Sequence, residues 1–95
     1  MSEILLEKIF IGLSNKHRLC ILNLLKDGTK SVDEIANNIA LSKATISYHL
    51  KVLRTAGLIN ARKQKNYVFY ALNSECIDKL YKWFQVFMEK GDVYE

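Results

Sequence analysis

Residues 31–57 read SVDEIANNIALSKATISYHLKVLRTAG, and this stretch contains the clearest signals of the fold. Ser31, with Glu34 three residues later, forms the pattern of a capping box, which predicts the start of a short third helix. Ser42 is a good N-cap residue for a fourth helix. Gly57 can adopt a positive φ at no steric cost, so it ends that helix as its C′ residue. The pattern predicts two helices joined by a tight turn.

The fourth helix has two different faces. Ile46, Leu50 and Leu53 stand at i, i+4 and i+7, so they are expected to hold the helix against the core. The other candidate functional residues of this segment are small, hydroxylated or cationic: Ser42, Lys43, Ala44, Thr45, Ser47, Tyr48 and Lys51. Side chains of this kind reach base edges and phosphates when a helix enters the major groove. We therefore predict that this face binds double-stranded DNA.

Two further helices are predicted before this stretch. Residues 2–13 repeat apolar side chains at helical spacing. Asn15 can cap a second helix, which runs to about residue 26 and is expected to turn Leu19, Leu22 and Leu25 inward. Both helices would supply apolar faces to the core.

A hairpin and a last helix are predicted after it. Residues 58–63 and 67–72 have the pattern of two strands joined by a three-residue turn. The last helix begins near residue 73 and ends near residue 90, and residues 91–95 are expected to fray. The order of elements is that of a winged helix-turn-helix, a mainly α fold in which a β-hairpin forms the wing.

Positive charge is concentrated in one continuous segment. Residues 35–74 contain no acidic residue, and their six basic residues are Lys43, Lys51, Arg54, Arg62, Lys63 and Lys65. The rest of the chain carries eight basic and ten acidic residues. Such a segment attracts phosphate through Coulomb forces and counterion release, although a solvated basic surface is the alternative. Arg62, Lys63 and Lys65 lie near the hairpin tip, where they are predicted to reach the DNA backbone or minor groove.

The composition limits the class of protein. The 95 residues suit one domain that spans residues 1–95. Charged residues interrupt the apolar stretches well short of a membrane span, so no membrane partner is expected. Two cysteines cannot build a disulfide framework, which suits the reducing cytoplasm. No glycine-rich phosphate loop, metal cluster or nucleophile–base pair is recognisable, so we predict neither enzymatic activity nor a cofactor.

The chain resembles the ArsR/SmtB family of repressors in several motifs. These are LSNKHRLCIL at residues 13–22, LSKATISYHLKVL at 41–53, GLI at 57–59, and the basic hairpin followed by YALN at 70–73. The resemblance covers roughly residues 4–88. It implies a homodimeric transcriptional repressor whose fourth helix reads the operator. The aromatic last helix is most similar to the metal-independent autorepressors of the family, of the sporulation-delay type.

The resemblance does not extend to the metal sites of the family. The positions that match those two sites are Ser31 and Asp33 in one, and Ser74, Cys76, Phe87 and Lys90 in the other. Only Cys76 among them could bind a soft metal, and one ligand does not make a site. We therefore expect DNA binding without a metal, with release by an unknown inducer left open.

The cysteines and histidines admit functional and structural interpretations. A thiol-redox-responsive repressor that uses Cys20 and Cys76 is an alternative function, whereas packing as small apolar groups is the simpler interpretation. His17 is expected to border a helix start, and His49 to help position the fourth helix.

The first and last helices carry more apolar side chains than so small a domain normally hides. Pairing them across a two-fold axis would bury both and set two fourth helices roughly 34 Å apart, one turn of DNA. The predicted interface residues are Leu6, Ile9, Phe10, Leu80, Trp83, Phe84 and Phe87. We predict a homodimer that binds an inverted repeat. The alternatives are an aromatic core within one chain and a winged-helix protein-interaction module that docks partners through the last helix.

Overall fold

The computed structural model describes residues 1–91, in which five helices and three strands follow one another. Their bounds are α1 Glu3–Leu13, α2 Lys16–Leu25, β1 Lys30–Ser31, α3 Val32–Ala36, α4 Lys43–Thr55, β2 Ile59–Gln64, β3 Tyr67–Leu72 and α5 Ser74–Gly91. The predicted fold class, mainly helical with a β wing, is confirmed. Fraying was expected for residues 91–95, but Gly91 is the last residue of α5, and residues 92–95 lie outside the described residues. None of the helices within residues 1–91 combines the length and apolarity that crossing a membrane requires.

Side chains close to each helix start determine where the helices begin. Asn15 Oδ1 accepts the backbone N–H groups of His17 and Arg18 at 2.9 and 3.2 Å, so the predicted cap of α2 is confirmed. The capping box of α3 is also present, because Ser31 Oγ accepts the N–H of Glu34 at 3.2 Å and Glu34 Oε1 accepts the N–H of Ser31 at 2.9 Å. These bonds satisfy N–H groups that a helix start otherwise leaves without partners.

Two positions with positive φ form the turns around the wing. Gly57 has a φ of 83° directly after α4, as its predicted C′ position requires. Lys65 has a φ of 57° and lies between the two long strands. Because β2 continues through Gln64, the turn contains two residues, Lys65 and Asn66, rather than the predicted three.

The sheet has three antiparallel strands in the order β1-β3-β2, whereas the sequence predicted only the β2–β3 hairpin. The two-residue strand β1 pairs with β3, with Lys30 opposite Tyr70 and Ser31 opposite Phe69. A strand this short has no alternating pattern that periodicity could detect. Since Ser31 is also the N-cap of α3, this pairing joins the helix-turn-helix to the wing.

The core lies between the helices and the inner side of the sheet. Its buried residues are Ile9, Ile21, Leu25, Ile35, Ile39, Ile46, Leu50, Leu53, Ala56, Leu58, Ile59, Cys76 and Leu80. The inward face of α2 differs from the predicted one. Leu19 is 49% exposed, and the buried residues of this helix are Arg18, Ile21 and Leu25. The helix is turned so that Arg18, rather than Leu19, faces the interior.

Candidate DNA-binding surface

Helix α4 lies with its apolar stripe entirely in the core. Ile46, Leu50 and Leu53 are at most 1% exposed, as predicted. The candidate residues of this segment are all exposed: Ser42, Lys43, Ala44, Thr45, Ser47, Tyr48 and Lys51. One continuous helix of 13 residues therefore presents a polar and cationic face to solvent while its other face is fixed.

Hydroxyl groups organise the first turn of α4. Ser42 Oγ accepts the backbone N–H of Thr45 at 3.1 Å, and the two hydroxyl oxygens are 2.9 Å apart and share a hydrogen bond. The start of the helix is thereby fixed, with both hydroxyls at the surface. A helix N-terminus held in this way is suited to an approaching phosphate.

An ion pair links the start of α4 to α3. Lys43 Nζ lies 2.6 Å from Asp33 Oδ1, and both side chains are more than half exposed. Sequence reasoning missed this contact because Asp33 lies two residues before the acid-free segment 35–74. Folding brings the carboxylate back against the first lysine of that segment. Lys43 is thus partly neutralised on the surface where a phosphate would compete with Asp33.

The wing carries its cations on more than one side. Arg62 and Lys63 are adjacent residues of β2, opposite Phe69 and Val68 of β3, and all the wing cations are exposed. Neighbouring residues of a strand point to opposite faces of the sheet, so these two cations do not share a face. Lys65 lies at the tip of the turn. The three predicted wing contacts are close in sequence but spread around the hairpin.

A buried arginine connects α4 to the end of α1. Arg18 Nε donates to the carbonyl oxygen of Gly12 at 3.0 Å, and Arg18 Nη2 donates to that of Ile11 at 3.1 Å. Arg18 Nη1 lies 3.1 Å from His49 Nδ1, and both side chains are buried. One guanidinium therefore closes the last turn of α1 and holds α4 through a single histidine.

The protonation state of His49 follows from this contact. A guanidinium can only donate, so Nδ1 of His49 accepts and its proton is on Nε2. Burial lowers the pKa of His49, and the positive charges of Arg18 and His17 lower it further. The contact agrees with the expectation that His49 helps position α4. Arg18 was not recognised from the sequence, although its spacing from Ile21 and Leu25 places it on the buried face of α2.

The predicted interface residues divide into three groups by burial. Ile9 and Leu80 are buried in the core of their own chain, and at 0% and 8% exposure they leave little or no surface for a partner. This corrects the predicted interface: α1 and α5 use these side chains to pack against the chain's own core. Leu6 and Trp83 are half-buried and pack against the core from outside.

The remaining members, Phe10, Phe84 and Phe87, form an exposed aromatic cluster together with Trp83. Phe10 of α1 contacts Trp83 and Phe84 edge-on, with ring centroids 5.6 and 6.2 Å apart. The ring centroids of Phe87 and Trp83 are 4.6 Å apart. The side chains of Phe84 and Phe87 remain 43% and 57% exposed. Four further apolar residues of α5 that were not in the predicted interface are also exposed: Ile77, Tyr81, Val86 and Met88. The aromatic side chains of the cluster are therefore only partly buried within one chain.

The cysteines and the positions matched to family metal sites are dispersed. Cys20 is exposed, whereas Cys76 is buried at the start of α5, and burial raises the pKa of its thiol. Ser31 belongs to the capping box, and Asp33 pairs with Lys43. Within residues 1–91 no three His, Cys, Asp or Glu side chains come together as potential metal ligands.

Comparison with known proteins places this geometry in a family. Residues 15–61 match the family described as bacterial regulatory protein, arsR family. The chain is 32% identical over 87 residues to the transcriptional repressor SdpR of Bacillus subtilis, covering 92% of this chain and 97% of SdpR. It is 44% identical over 63 residues to the transcriptional activator HlyU of Vibrio cholerae, covering 66% of this chain and 58% of HlyU.

A solved structure supports the same assignment. The solution structure of a homodimeric winged helix-turn-helix DNA-binding domain from Mycobacterium bovis superimposes with a TM-score of 0.75 at 27% identity. The match covers 96% of this chain and 90% of that domain. The resemblance noted in the sequence motifs is therefore confirmed over the fold as well. With its polar α4 face and basic wing, the chain belongs to the ArsR family of transcriptional regulators and carries their DNA-binding winged helix-turn-helix.

Proposed function

We propose that this regulator is a repressor that binds an inverted-repeat operator as a homodimer and requires no metal to do so. The single observation that carries the proposal is the division of α4 into a fully buried apolar stripe and an exposed polar face. The exposed face includes Ser47 and Tyr48, whose hydroxyls are suited to base edges, and Lys51, whose ammonium is suited to phosphate. The cations of the wing extend the same surface.

The exposed aromatic cluster supports assembly as a dimer. Phe84 and Phe87 leave apolar surface on α5 beside Phe10 of α1, and a second copy would cover it on both chains at once. The relative from Mycobacterium bovis is described as homodimeric. A two-fold axis at this cluster would direct the two α4 helices to successive major grooves on one side of the duplex.

The direction of regulation and the independence from metal rest on other observations. SdpR, which is described as a repressor, aligns with nearly the whole chain, whereas HlyU, described as an activator, aligns with two thirds of it. A dimer bound to promoter DNA represses transcription because it blocks the binding of RNA polymerase. Metal-free binding is supported by the side chains at the matched positions, because Ser31 and Asp33 already serve the capping box and the Lys43 ion pair.

Selection of bound sequences from a random duplex pool tests the proposal. The expected result is an inverted repeat whose half-sites are about one helical turn apart, recovered in the presence of a metal chelator. Ser47→Ala and Tyr48→Ala are each expected to cost about 1–3 kcal/mol on the selected operator and little on random duplex. Lys65→Ala should weaken binding to both duplexes and lower the slope of log affinity against log salt by about 1.

Controls separate this function from the alternatives. Lys82→Ala removes an exposed lysine of α5 and should leave DNA affinity unchanged. Equal losses on operator and random duplex would make Ser47 and Tyr48 backbone contacts. Absence of salt-dependent binding to any duplex would favour a protein-interaction module instead. Transcription in vitro from a promoter that overlaps the operator should fall when the protein is added, and a rise would identify an activator.

A further inference from the structure

A groove outside the aromatic cluster runs between α1 and α4. It has a volume of about 270 Å³, and its lining residues are Lys8, Ile11, Tyr48, Lys51, Val52, Thr55 and Ala56. Ile11, Val52 and Ala56 provide aliphatic walls, and Tyr48 adds an aromatic ring. A concave apolar surface with a few polar groups is the usual form of a small-molecule site.

The charge of this groove has one sign. Lys8 on α1 and Lys51 on α4 contribute two ammonium groups, and no acidic residue of the described part of the chain lines the groove. Within residues 1–91 neither lysine forms an ion pair, whereas Lys43, Lys79 and Lys82 each pair with a carboxylate. The groove therefore combines aliphatic walls with positive charge that no carboxylate among residues 1–91 neutralises.

We infer that the groove binds an anionic amphiphile, a small molecule with a carboxylate head and an aliphatic body. The carboxylate would lie between the two ammonium groups, which would donate charge-assisted hydrogen bonds to it. The aliphatic body would cover Ile11 and Val52 and release the water from them.

A second copy of the chain fits this groove less well than a small anion does. The exposed aromatic cluster lies on the side of α1 that carries Phe10, whereas the groove is on the side that carries Lys8 and Ile11. The groove shares none of its lining residues with that cluster. A dimer formed through the cluster would thus leave the groove open.

Occupation of the groove has a consequence that rests on the proposed function. Tyr48 and Lys51 belong both to the groove and to the candidate DNA-binding face of α4. A bound carboxylate would neutralise Lys51 and hold Tyr48 against the groove, so neither side chain would be available to DNA. The ligand would act as an inducer that lowers operator affinity.

Calorimetric titration of the full chain with decanoate, below its micelle concentration and without DNA, tests the site. Decanoate should bind at least fivefold more tightly than decan-1-ol, which has the same chain length without the charge. Lys8→Gln, which lies outside the candidate DNA surface, should weaken decanoate binding at least fivefold. The matched control Lys82→Gln removes the same charge from α5 and should leave it unchanged. Ile11→Gln, at a position already 52% exposed, should weaken both ligands.

Operator titrations with and without decanoate test the regulatory step. Decanoate should weaken operator binding of the unmodified chain several-fold and have little effect on Lys8→Gln. Equal binding of acid and alcohol, equal effects of the two glutamine variants, or loss of decanoate binding as the chain dimerises would each overturn the site. If decanoate binds but operator affinity stays the same, the regulatory step is wrong. Failure to bind any duplex without decanoate would contradict the proposed function alone, because calorimetry measures the groove independently.

Discussion

Helices α4 and α5 both carry apolar stripes, but only the stripe of α4 is completely buried within one chain. Ile46, Leu50 and Leu53 of α4 have essentially no exposed surface, whereas Phe84 and Phe87 of α5 keep about half of theirs. The outward face of α4 is polar and cationic, whereas α5 exposes apolar side chains such as Phe84 and Phe87 beside a charged side. Helix α4 is therefore fixed by its own chain and leaves polar groups for a ligand. Helix α5 leaves apolar surface exposed, and we propose that a second copy of the chain covers it.

The largest expected effect comes from substitution in the buried apolar stripe of α4. Leu53→Ala should lower the free energy of unfolding by about 2–5 kcal/mol, because it removes buried methyl groups and leaves a cavity. Phe87→Ala, on the exposed side of α5, should have a smaller effect that grows with protein concentration as dimers form. Urea unfolding at several protein concentrations measures both. A cost for Phe87→Ala as large as that of Leu53→Ala and independent of concentration would make α5 part of a single-chain core.

A second effect concerns the aromatic cluster itself. Trp83→Ala removes a ring that contacts Phe10, Phe84 and Phe87, so it should weaken dimerisation by about 2 kcal/mol and reduce operator affinity. Equilibrium sedimentation and operator titration give the two values. Lys82→Ala, one residue away on the polar side of α5, is the control. An intact dimer with unaltered operator affinity would exclude Trp83 from the interface.

A smaller effect is expected at the outer face of α4. Asp33→Asn removes the carboxylate that pairs with Lys43, so DNA affinity should rise several-fold and the salt slope should steepen by up to about 0.9. The matched control is Asp78→Asn, which removes an ion-paired carboxylate from α5. Gel-shift titrations over a range of salt concentrations compare them. Equal gains from both variants would show that only net charge matters.

The smallest expected effect is a pH dependence of the free energy of unfolding that arises at His49. The pKa of His49 lies below its ordinary value because of burial and the charges of Arg18 and His17. As the pH falls below about 6.5, the unfolded chain takes up this proton before the folded chain does, so stability is full above that pH and declines below it. His49→Gln should flatten the decline in unfolding free energy between pH 7 and 5.5. An equal change in His17→Gln alone would assign the dependence to His17.

Much of α4 was predictable because its signals are local. Ser42, Ile46 and Gly57 act through neighbours within one or two helical turns, so the sequence shows the start, the buried side and the end of the helix. The capping box of α3 is local in the same sense. Strand β1 and the inward side of α2 were not predictable in this way, because a two-residue strand exists only through its pairing with β3.

The candidate site was predictable as a list of residues but not as a set of contacts. Lys43 was recognised as a cation, whereas its pairing with Asp33 arises because the turn after α3 folds back toward α4. Arg18 was missed because a charged residue in a helix normally indicates the exposed side. Its burial is possible only where two carbonyl groups and His49 accept its N–H groups together.

From the sequence it was possible to predict the order of the five helices and two long strands, the caps of α2, α3 and α4, and the two faces of α4, since these depend on residues that are close along the chain. Which apolar side chains of α1 and α5 are internal depends on the tertiary packing. Both helices are apolar around much of their circumference, so periodicity could not separate Ile9 and Leu80, which are buried, from Phe84 and Phe87, which stay exposed. That separation depends on how distant elements pack against one another, and helical spacing carries no information about it.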